Sequence, residues 1–361
     1  MADNGVTVLG GGNTAFSVAA KLQLDGAAVT LCEIPSFSHM VEPIKDTRQV
    51  QLDGVAGKNV VTLECVTTEF SVGLAGNELN LLIIPAYGHA AFAQACAPHL
   101  QSGQVVVLMP GTLGSLEFSR ILHEQGVPAD ITLAETDTAP YVCRKITPTS
   151  AHIWGVVKSL GLGVLPARQG PRVQQLVDHW FPGVQLYDHV AACGLAALNP
   201  VVHPAGVFMN AGRIEKSGGE FYFYNEGITP GVCQLIHAVD RERLAIGRAL
   251  GLELLPIDTA FCKAGFGPPG DLETTIRGSE MLTALKAPGA LDTRWLTEDV
   301  PYGLAAWAAL GEQLEVACPT MRSLVELIGT MLEMDFWKSA RTPKDLGVAG
   351  MDRGRLLAFL R

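Results

Sequence analysis

The residue in this chain best suited to chemistry is a histidine held between two prolines. His203 lies in Asn199-Pro200-Val201-Val202-His203-Pro204, within a stretch from His189 to Gly212 that carries no Asp, Glu, Lys or Arg. An imidazole titrates near neutrality, so it can take a proton from one group and return it to another. A proline inside a helix removes a backbone donor and costs about 3 kcal/mol, which a plain core helix has little reason to bear. Pro204 also biases His203 away from the αR region and predicts a kink at the histidine. A lone histidine in an apolar stretch is more often a satisfied core residue than a catalyst, so the chemical reading needs partners. Arg294-Trp295-Leu296-Thr297-Glu298-Asp299-Val300 offers them. Its guanidinium can grip a carboxylate in bidentate fashion, and either acid could fix the tautomer of a histidine. The bland reading of Arg294 with Asp299 is a surface ion pair.

A second constellation points to a nucleotide. Gly10-Gly11-Gly12-Asn13-Thr14-Ala15 follows the apolar run Val6-Thr7-Val8-Leu9 and opens a helical stretch from Ala15 to Leu24. In this G-x-G-x-x-A pattern Gly10 allows the tight turn and Gly12 lets backbone approach a pyrophosphate. Ala15 permits close packing of helix on strand, and the helix N-terminus, with Asn13 and Thr14, supplies N–H donors. Glu33 ends the next strand, Val29 to Cys32, about 20 residues past Gly12, where an acid grips the adenosine ribose hydroxyls. A carboxylate there repels a 2′-phosphate, which favours NAD. NADP stays open because Lys45 and Arg48 follow shortly. The bland reading of Glu33 is a surface acid at a strand end.

The elements that must position these residues fall into two kinds. Continuous apolar runs at Leu81 to Ile84, Val105 to Leu108 and Ile131 to Ala134 alternate with helical stretches, as in strands buried on both faces. That alternation predicts an α/β N-terminal domain of Rossmann type, doubly wound around a mostly parallel sheet, over residues 1–186. From about Asp188 the pattern is helical, which predicts an all-α C-terminal domain over residues 187–361. Leu324, Leu327, Ile328, Met331 and Leu332 recur at helical spacing and read as one core-facing stripe.

Composition narrows the function classes. The 361 residues are 48% hydrophobic and 17% charged, with a formal net charge of −10. No basic stripe offsets that acidity, so no nucleic-acid partner is expected. The eight cysteines form no Cys-x-x-Cys, and the nine histidines show no metal-ligand spacing, so no metal site is expected. Mean hydropathy is positive, but the two uncharged stretches, Leu79 to Leu116 and His189 to Gly212, are interrupted by prolines and polar residues. No membrane span is expected from them. Met1 to Gly5 shows neither a basic region nor an apolar leader core, and with the scattered cysteines this predicts a cytoplasmic protein.

Taken together, these motifs resemble the opine dehydrogenase family, which includes octopine, nopaline and N-(1-carboxyethyl)norvaline dehydrogenases. The resemblance runs over nearly the full length. It includes the GGGNTA turn, Pro85-Ala86-Tyr87-Gly88-His89 and Pro110-Gly111-Thr112-Leu113-Gly114, and continues through NPVVHP, Glu226-Gly227-Ile228-Thr229-Pro230 and Arg294-x4-Asp299. The resemblance implies an NAD(P)-dependent enzyme that condenses an α-keto acid, usually pyruvate, with the amino group of an amino acid and reduces the imine. By position it implies His203 as general acid/base, Asp299 as its carboxylate partner and Arg294 as the holder of a substrate carboxylate. Thr136 matches a keto-acid contact, Asn199 an asparagine near the nicotinamide, and Pro85 the loop beside the cofactor. Thr112 stands where the octopine enzymes carry a glutamine, and an aromatic lining their amino-acid pocket has no clear counterpart, so the amine is not carried over. Other readings on the same plan are a 2-hydroxy acid or 3-hydroxyacyl type dehydrogenase and a catalytically silent NAD-binding sensor. A homodimer is an open assembly.

Overall fold

A computed structural model describes residues 4–127 and 130–361. Met1 to Asp3, on which the reading of the N-terminus partly rests, lie outside the described residues. The chain divides into two compact units, one reaching to Gly194 and joined by Leu360 and Arg361, the other spanning Leu195 to Phe359. The expected boundary was Leu186. The next eight residues stay with the first unit because Cys193 Sγ donates to the carbonyls of Glu135 at 3.1 Å and Gly161 at 3.8 Å.

The first unit is built on strands β1 (Gly5–Leu9), β2 (Ala28–Cys32), β3 (Gln49–Gly54), β4 (Asn59–Thr62), β5 (Cys65–Thr67), β6 (Leu79–Leu82), β7 (Val105–Leu108), β8 (Thr132–Thr136), β9 (Tyr141–Thr147), β10 (Ser150–Val156), β11 (Gly161–Leu165) and β12 (Gln185–Leu186). Eight of them form one sheet in the order β12-β11-β8-β7-β6-β1-β2-β5. Its pairings are parallel except β11 with β8, which is the mostly parallel, doubly wound sheet expected. Every residue of β6 and β7 is buried, as the uninterrupted apolar runs require. The first run was expected over Leu81 to Ile84, but its strand spans Leu79–Leu82, with Asn80 buried and its amide donating to Val105 O at 3.3 Å.

A second sheet, ordered β4-β3-β10-β9, has no counterpart in the expected architecture. Its inner residues Val50, Leu52, Ala151 and Ile153 are buried, while Gln49, Gln51 and Trp154 face out. That period-two alternation is a legible strand signal. Helix α1 (Asn13–Leu24) lies against this sheet as well as its own, with Asn13 Oδ1 accepting from the Lys145 N–H at 3.0 Å. Helix α2 (Gly114–Glu124) follows β7.

The second unit is helical, with α3 (Asn199–Met209), α4 (Pro230–Ala249), α5 (Arg294–Thr297), α6 (Ala305–Gln313) and α7 (Pro319–Leu332) as the elements that matter below. Its core contains Arg243, fully buried and satisfied by Asp240 Oδ1 at 2.7 and 2.8 Å and by the carbonyls of Leu195 and Leu255. Glu242 seats its carboxylate on the N-terminus of α7, accepting from Thr320 N at 2.7 Å and Met321 N at 2.9 Å, where the helix dipole favours negative charge. The buried stripe of α7 is Met321, Leu324, Val325 and Ile328. Leu327 was expected on that stripe but is 50% exposed. The face that buries runs through Met321 and Val325 instead. The stretch 190–209 is long and apolar enough to cross a membrane, but it is mostly buried inside the fold.

Candidate active site

The glycine turn in the first unit has the geometry its sequence calls for. Gly10 adopts φ +116, and a side chain there would meet Ile83 O at 2.6 Å, so only glycine fits. Gly12 is the N-cap of α1 in extended conformation, no side chain caps this end among the described residues, and the space beside its Cα is open. The first N–H groups of a twelve-residue helix, with open space beside Gly12, suit a pyrophosphate. Ala15 is fully buried, as close helix–strand packing requires.

Glu33 is buried at the end of β2, where burial raises its carboxyl above the usual range and the N–H groups of Ile34, at 2.7 Å, and Gly11 pull it back. The charge of Lys145 also reaches Glu33 and lowers it. Lys45 lies 3.8 Å from Glu42, and Arg48 donates to Glu64 O at 2.6 Å. The sequence pointed to these two cations, but the one whose charge acts on Glu33 is Lys145, which arrives on β9 from the second sheet. Pro85 caps the turn Ala86–Gly88 after β6, accepting from Gly88 N at 2.9 Å.

The loop that carries Thr112 is tied to Thr136 through the residue before it. Gly111 N donates to Thr136 O at 3.1 Å, and the Thr136 hydroxyl donates to Thr138 O at 2.7 Å. Thr112 and Leu113 both adopt positive φ, +49 and +67, a strained pairing for side-chain-bearing residues. The buried Glu135 carboxylate holds this loop by accepting from Leu113 N at 3.0 Å, Ser115 N at 3.1 Å and Ser115 Oγ at 2.6 Å. Cys143 is set apart from chemistry, since burial pushes its thiol up and away from the reactive thiolate. Among the described residues no group of His, Cys, Asp and Glu could hold a metal ion.

In the second unit His203 sits in the middle of α3 with both ring nitrogens occupied. Nδ1 lies 2.8 Å from Asp299 Oδ2, and Nε2 lies 3.0 Å from the Tyr224 hydroxyl. The imidazole stacks on the Trp295 indole, with centroids 4.3 Å apart and planes 9° from parallel. Burial and the nearby charge of Asp299 push the Tyr224 phenol well above its ordinary value, so it stays protonated. Pro204 was expected to take His203 away from helical geometry, but the helix runs on from Asn199 to Met209 with both residues inside it. The carbonyl deprived of its partner is that of Pro200, in the first turn, so the defect is confined to one end.

Three local features bring these groups together. Thr293 caps α5, so Trp295 follows directly at the first turn. A widened π-turn, Val300–Leu304, follows Asp299, and its Gly303 lies against Pro200 of α3. A second π-turn, Phe223–Gly227, places Tyr224, and a side chain on Gly206 of α3 would meet Phe223 Cζ at 2.6 Å. Bulged turns of this kind recur at functional sites.

The structure separates the two acids that the sequence left as rivals. Asp299 faces His203, whereas Glu298 pairs with Arg294, accepting from Nε at 2.8 Å and lying 2.6 Å from Nη2. The Arg294 side chain is 61% exposed and its guanidinium is reachable by a ligand. Asn199 is exposed at the first turn of α3. Tyr224 and Trp295 were not singled out from the sequence. The aromatic run Phe221-Tyr222-Phe223-Tyr224 was the available signal for Tyr224.

Comparison with known proteins follows the same division. Residues 186–332 match the family described as NAD/NADP octopine/nopaline dehydrogenase, alpha-helical domain. The chain is 30% identical to an opine dehydrogenase of Arthrobacter sp. (strain 1C) over 95% of each chain. It is 26% identical to Protein ocs of Agrobacterium tumefaciens (strain Ach5) over 98% of each. Its fold matches octopine dehydrogenase solved in complex with NADH and agmatine, with a TM-score of 0.78 at 20% identity and 95% of each chain covered.

Proposed function

This chain belongs to the opine dehydrogenase family, and from that premise we propose how its own residues carry the family's reaction. The protein is an NAD(P)-dependent oxidoreductase of the opine dehydrogenase type, joining an α-keto acid to the amino group of an amino acid through an imine. The bound nicotinamide supplies the hydride that reduces the imine carbon. His203 is the general acid/base, and the observation that carries this is its 2.8 Å contact with Asp299, with the ring stacked on Trp295.

Asp299 only accepts, so it holds the Nδ1–H tautomer and leaves the Nε2 lone pair as the basic site. That site takes a proton from the ammonium of the amino acid, which frees the amine to attack the keto carbon. The same proton then goes to the hydroxyl that leaves as water. Arg294 is the proposed holder of the keto-acid carboxylate, exchanging its contact with Glu298 for the substrate, and Thr112 and Thr136 are the proposed substrate contacts of the first unit. Gly10, Gly12, Asn13, Thr14, Ala15 and Pro85 would hold the nicotinamide nucleotide, with Glu33 toward the ribose, and Asn199 is the contact proposed from the second unit. The Glu33 carboxylate favours NAD over NADP.

Pyruvate is the proposed keto acid. Cytoplasmic residence fits the eight unpaired thiols. A homodimer is proposed through the outward apolar residues Ile146, Trp154 and Val156 of the second sheet, which are 51 to 58% exposed.

The test mixes the protein with NADH, pyruvate and a panel of amino acids and follows cofactor oxidation. Turnover that needs both keto acid and amine is expected. Oxidation by keto acid alone would establish a hydroxy acid dehydrogenase instead, and tight NADH binding without turnover would establish a sensor.

A further inference from the structure

The His203 ring offers no free nitrogen to a substrate. Nδ1 is taken by Asp299, Nε2 by the Tyr224 hydroxyl, and one ring face by Trp295. A proton that enters or leaves Nε2 therefore either passes through Tyr224 or requires Tyr224 to move away. We propose that Tyr224 is a catalytic residue, the terminal link of an Asp299–His203–Tyr224 relay whose phenol hydroxyl, rather than the imidazole, touches the substrate oxygen. The inference rests on the reading of His203 as acid/base.

Hydrogen-bond polarity makes the relay directional. In the neutral ring Nδ1–H donates to Asp299, so Nε2 holds a lone pair and the phenol must donate to it. The phenol oxygen then has only lone pairs to offer and acts as an acceptor. When His203 is protonated, Nε2–H donates to the phenol oxygen, and the phenol proton is released to point at the substrate. Loss of water from the carbinolamine follows from that second state. The C–O bond breaks, its electron pair stays on oxygen, and that oxygen takes the phenol proton and leaves as water. The phenol oxygen takes the Nε2 proton, His203 becomes neutral, and the nitrogen lone pair closes the C=N bond. The ammonium of the next amino acid restores the proton by the same route in reverse. Because burial and Asp299 disfavour the phenolate, the two transfers occur together and no charged tyrosine accumulates.

The competing view makes Tyr224 a plug that caps Nε2 in the resting enzyme and moves aside. Tyr224→Phe distinguishes the two while conserving ring volume. The relay predicts a fall in kcat of about a hundredfold, with KM for both substrates within about threefold. A kcat within about threefold of the parent, or one that rises because Nε2 is uncovered, would overturn it. Near-UV circular dichroism and NADH affinity equal to the parent's show that the variant is folded. The unmodified enzyme provides an independent measurement, the dependence of kcat on the deuterium fraction of the solvent. Two protons in flight give a bowed plot, and a straight line would refute the relay whatever the variant does. His203→Asn is run alongside. Full activity in that variant would remove the acid/base reading itself, whereas an inactive His203→Asn beside an active Tyr224→Phe would remove the relay alone.

Discussion

A carboxylate 2.8 Å from Nδ1 and a phenol 3.0 Å from Nε2 leave neutral His203 with one tautomer and one route for its proton. His203→Asn is expected to lower kcat by at least about a hundredfold with the fold intact, since asparagine is polar and smaller and keeps a partner for Asp299. An unchanged kcat in steady-state assay would refute the role. Asp299→Asn is expected to fall by a similar factor, because an amide can donate to Nδ1 and so stabilise the wrong tautomer. A second residue-scale prediction concerns the cofactor. Glu33→Ser removes the charge that would face a 2′-phosphate, and the ratio of kcat/KM for NADPH over NADH is expected to rise at least about tenfold, or about 1.4 kcal/mol. An unchanged ratio would move the discrimination elsewhere, with Lys145 the nearest cation to examine. Histidine, arginine and the two acids were legible in the sequence because their chemistry is carried by residue type. Which acid served which cation was not, because Glu298 and Asp299 are neighbours on one turn, and which of them meets His203 depends on how that turn is set against α3. Tyr224 and Trp295 were illegible for a related reason, since a ring earns its role from what it stacks on or bonds to, far away in the chain.

Elements do the positioning, and here small residues matter more than charged ones. The aromatic turn that carries Tyr224 approaches α3 only because position 206 has no side chain. Gly206→Ala would set a methyl group 2.6 Å from Phe223 Cζ and 3.1 Å from Ile228 Cδ1. Overpacking of this size costs about 1–3 kcal/mol. Relief by a shift of Phe223 would carry Tyr224 with it. The expected result is a folded enzyme, less stable by that amount in chemical denaturation, whose kcat drops at least about tenfold while NADH affinity holds. Loss of stability without loss of kcat would show that the turn relaxes elsewhere. The β1–turn–α1 unit was readable in full because glycine spacing, strand and helix agree. The second sheet was readable in principle, from the alternation of Gln49 to Leu52, but the long apolar strands drew the reading to a single sheet. On α7 the buried face keeps helical periodicity but includes Met321 and Val325 in place of Leu327.

At the scale of the whole molecule, stability should depend on pH through a carboxyl that takes no part in the chemistry. Asp137 lies after β8, where it accepts from Gly161 N at 2.9 Å and from the Tyr187 hydroxyl at 3.1 Å. Burial outweighs those bonds and pushes its carboxyl up to about 6 from 3.8. The folded state therefore holds a proton that the unfolded chain has released. Its contribution to stability is fully present below pH 3.8 and is lost as pH rises through about 6. Glu33 is raised by burial as well and acts in the same direction. Asp137→Asn is neutral at every pH and keeps an acceptor for Gly161. Other carboxyls titrate identically in both proteins, so the difference in unfolding free energy, variant minus parent, isolates this group. That difference is expected to rise between pH 4 and pH 7 by on the order of 2 kcal/mol and to be flat above pH 7. Urea titrations at pH 4, 5.5, 7 and 8 would measure it. A difference that stays constant over that range would mean that Asp137 ionises in the folded protein as it does in water. In that case the bonds from Gly161 and Tyr187, rather than burial, govern this corner of the first unit.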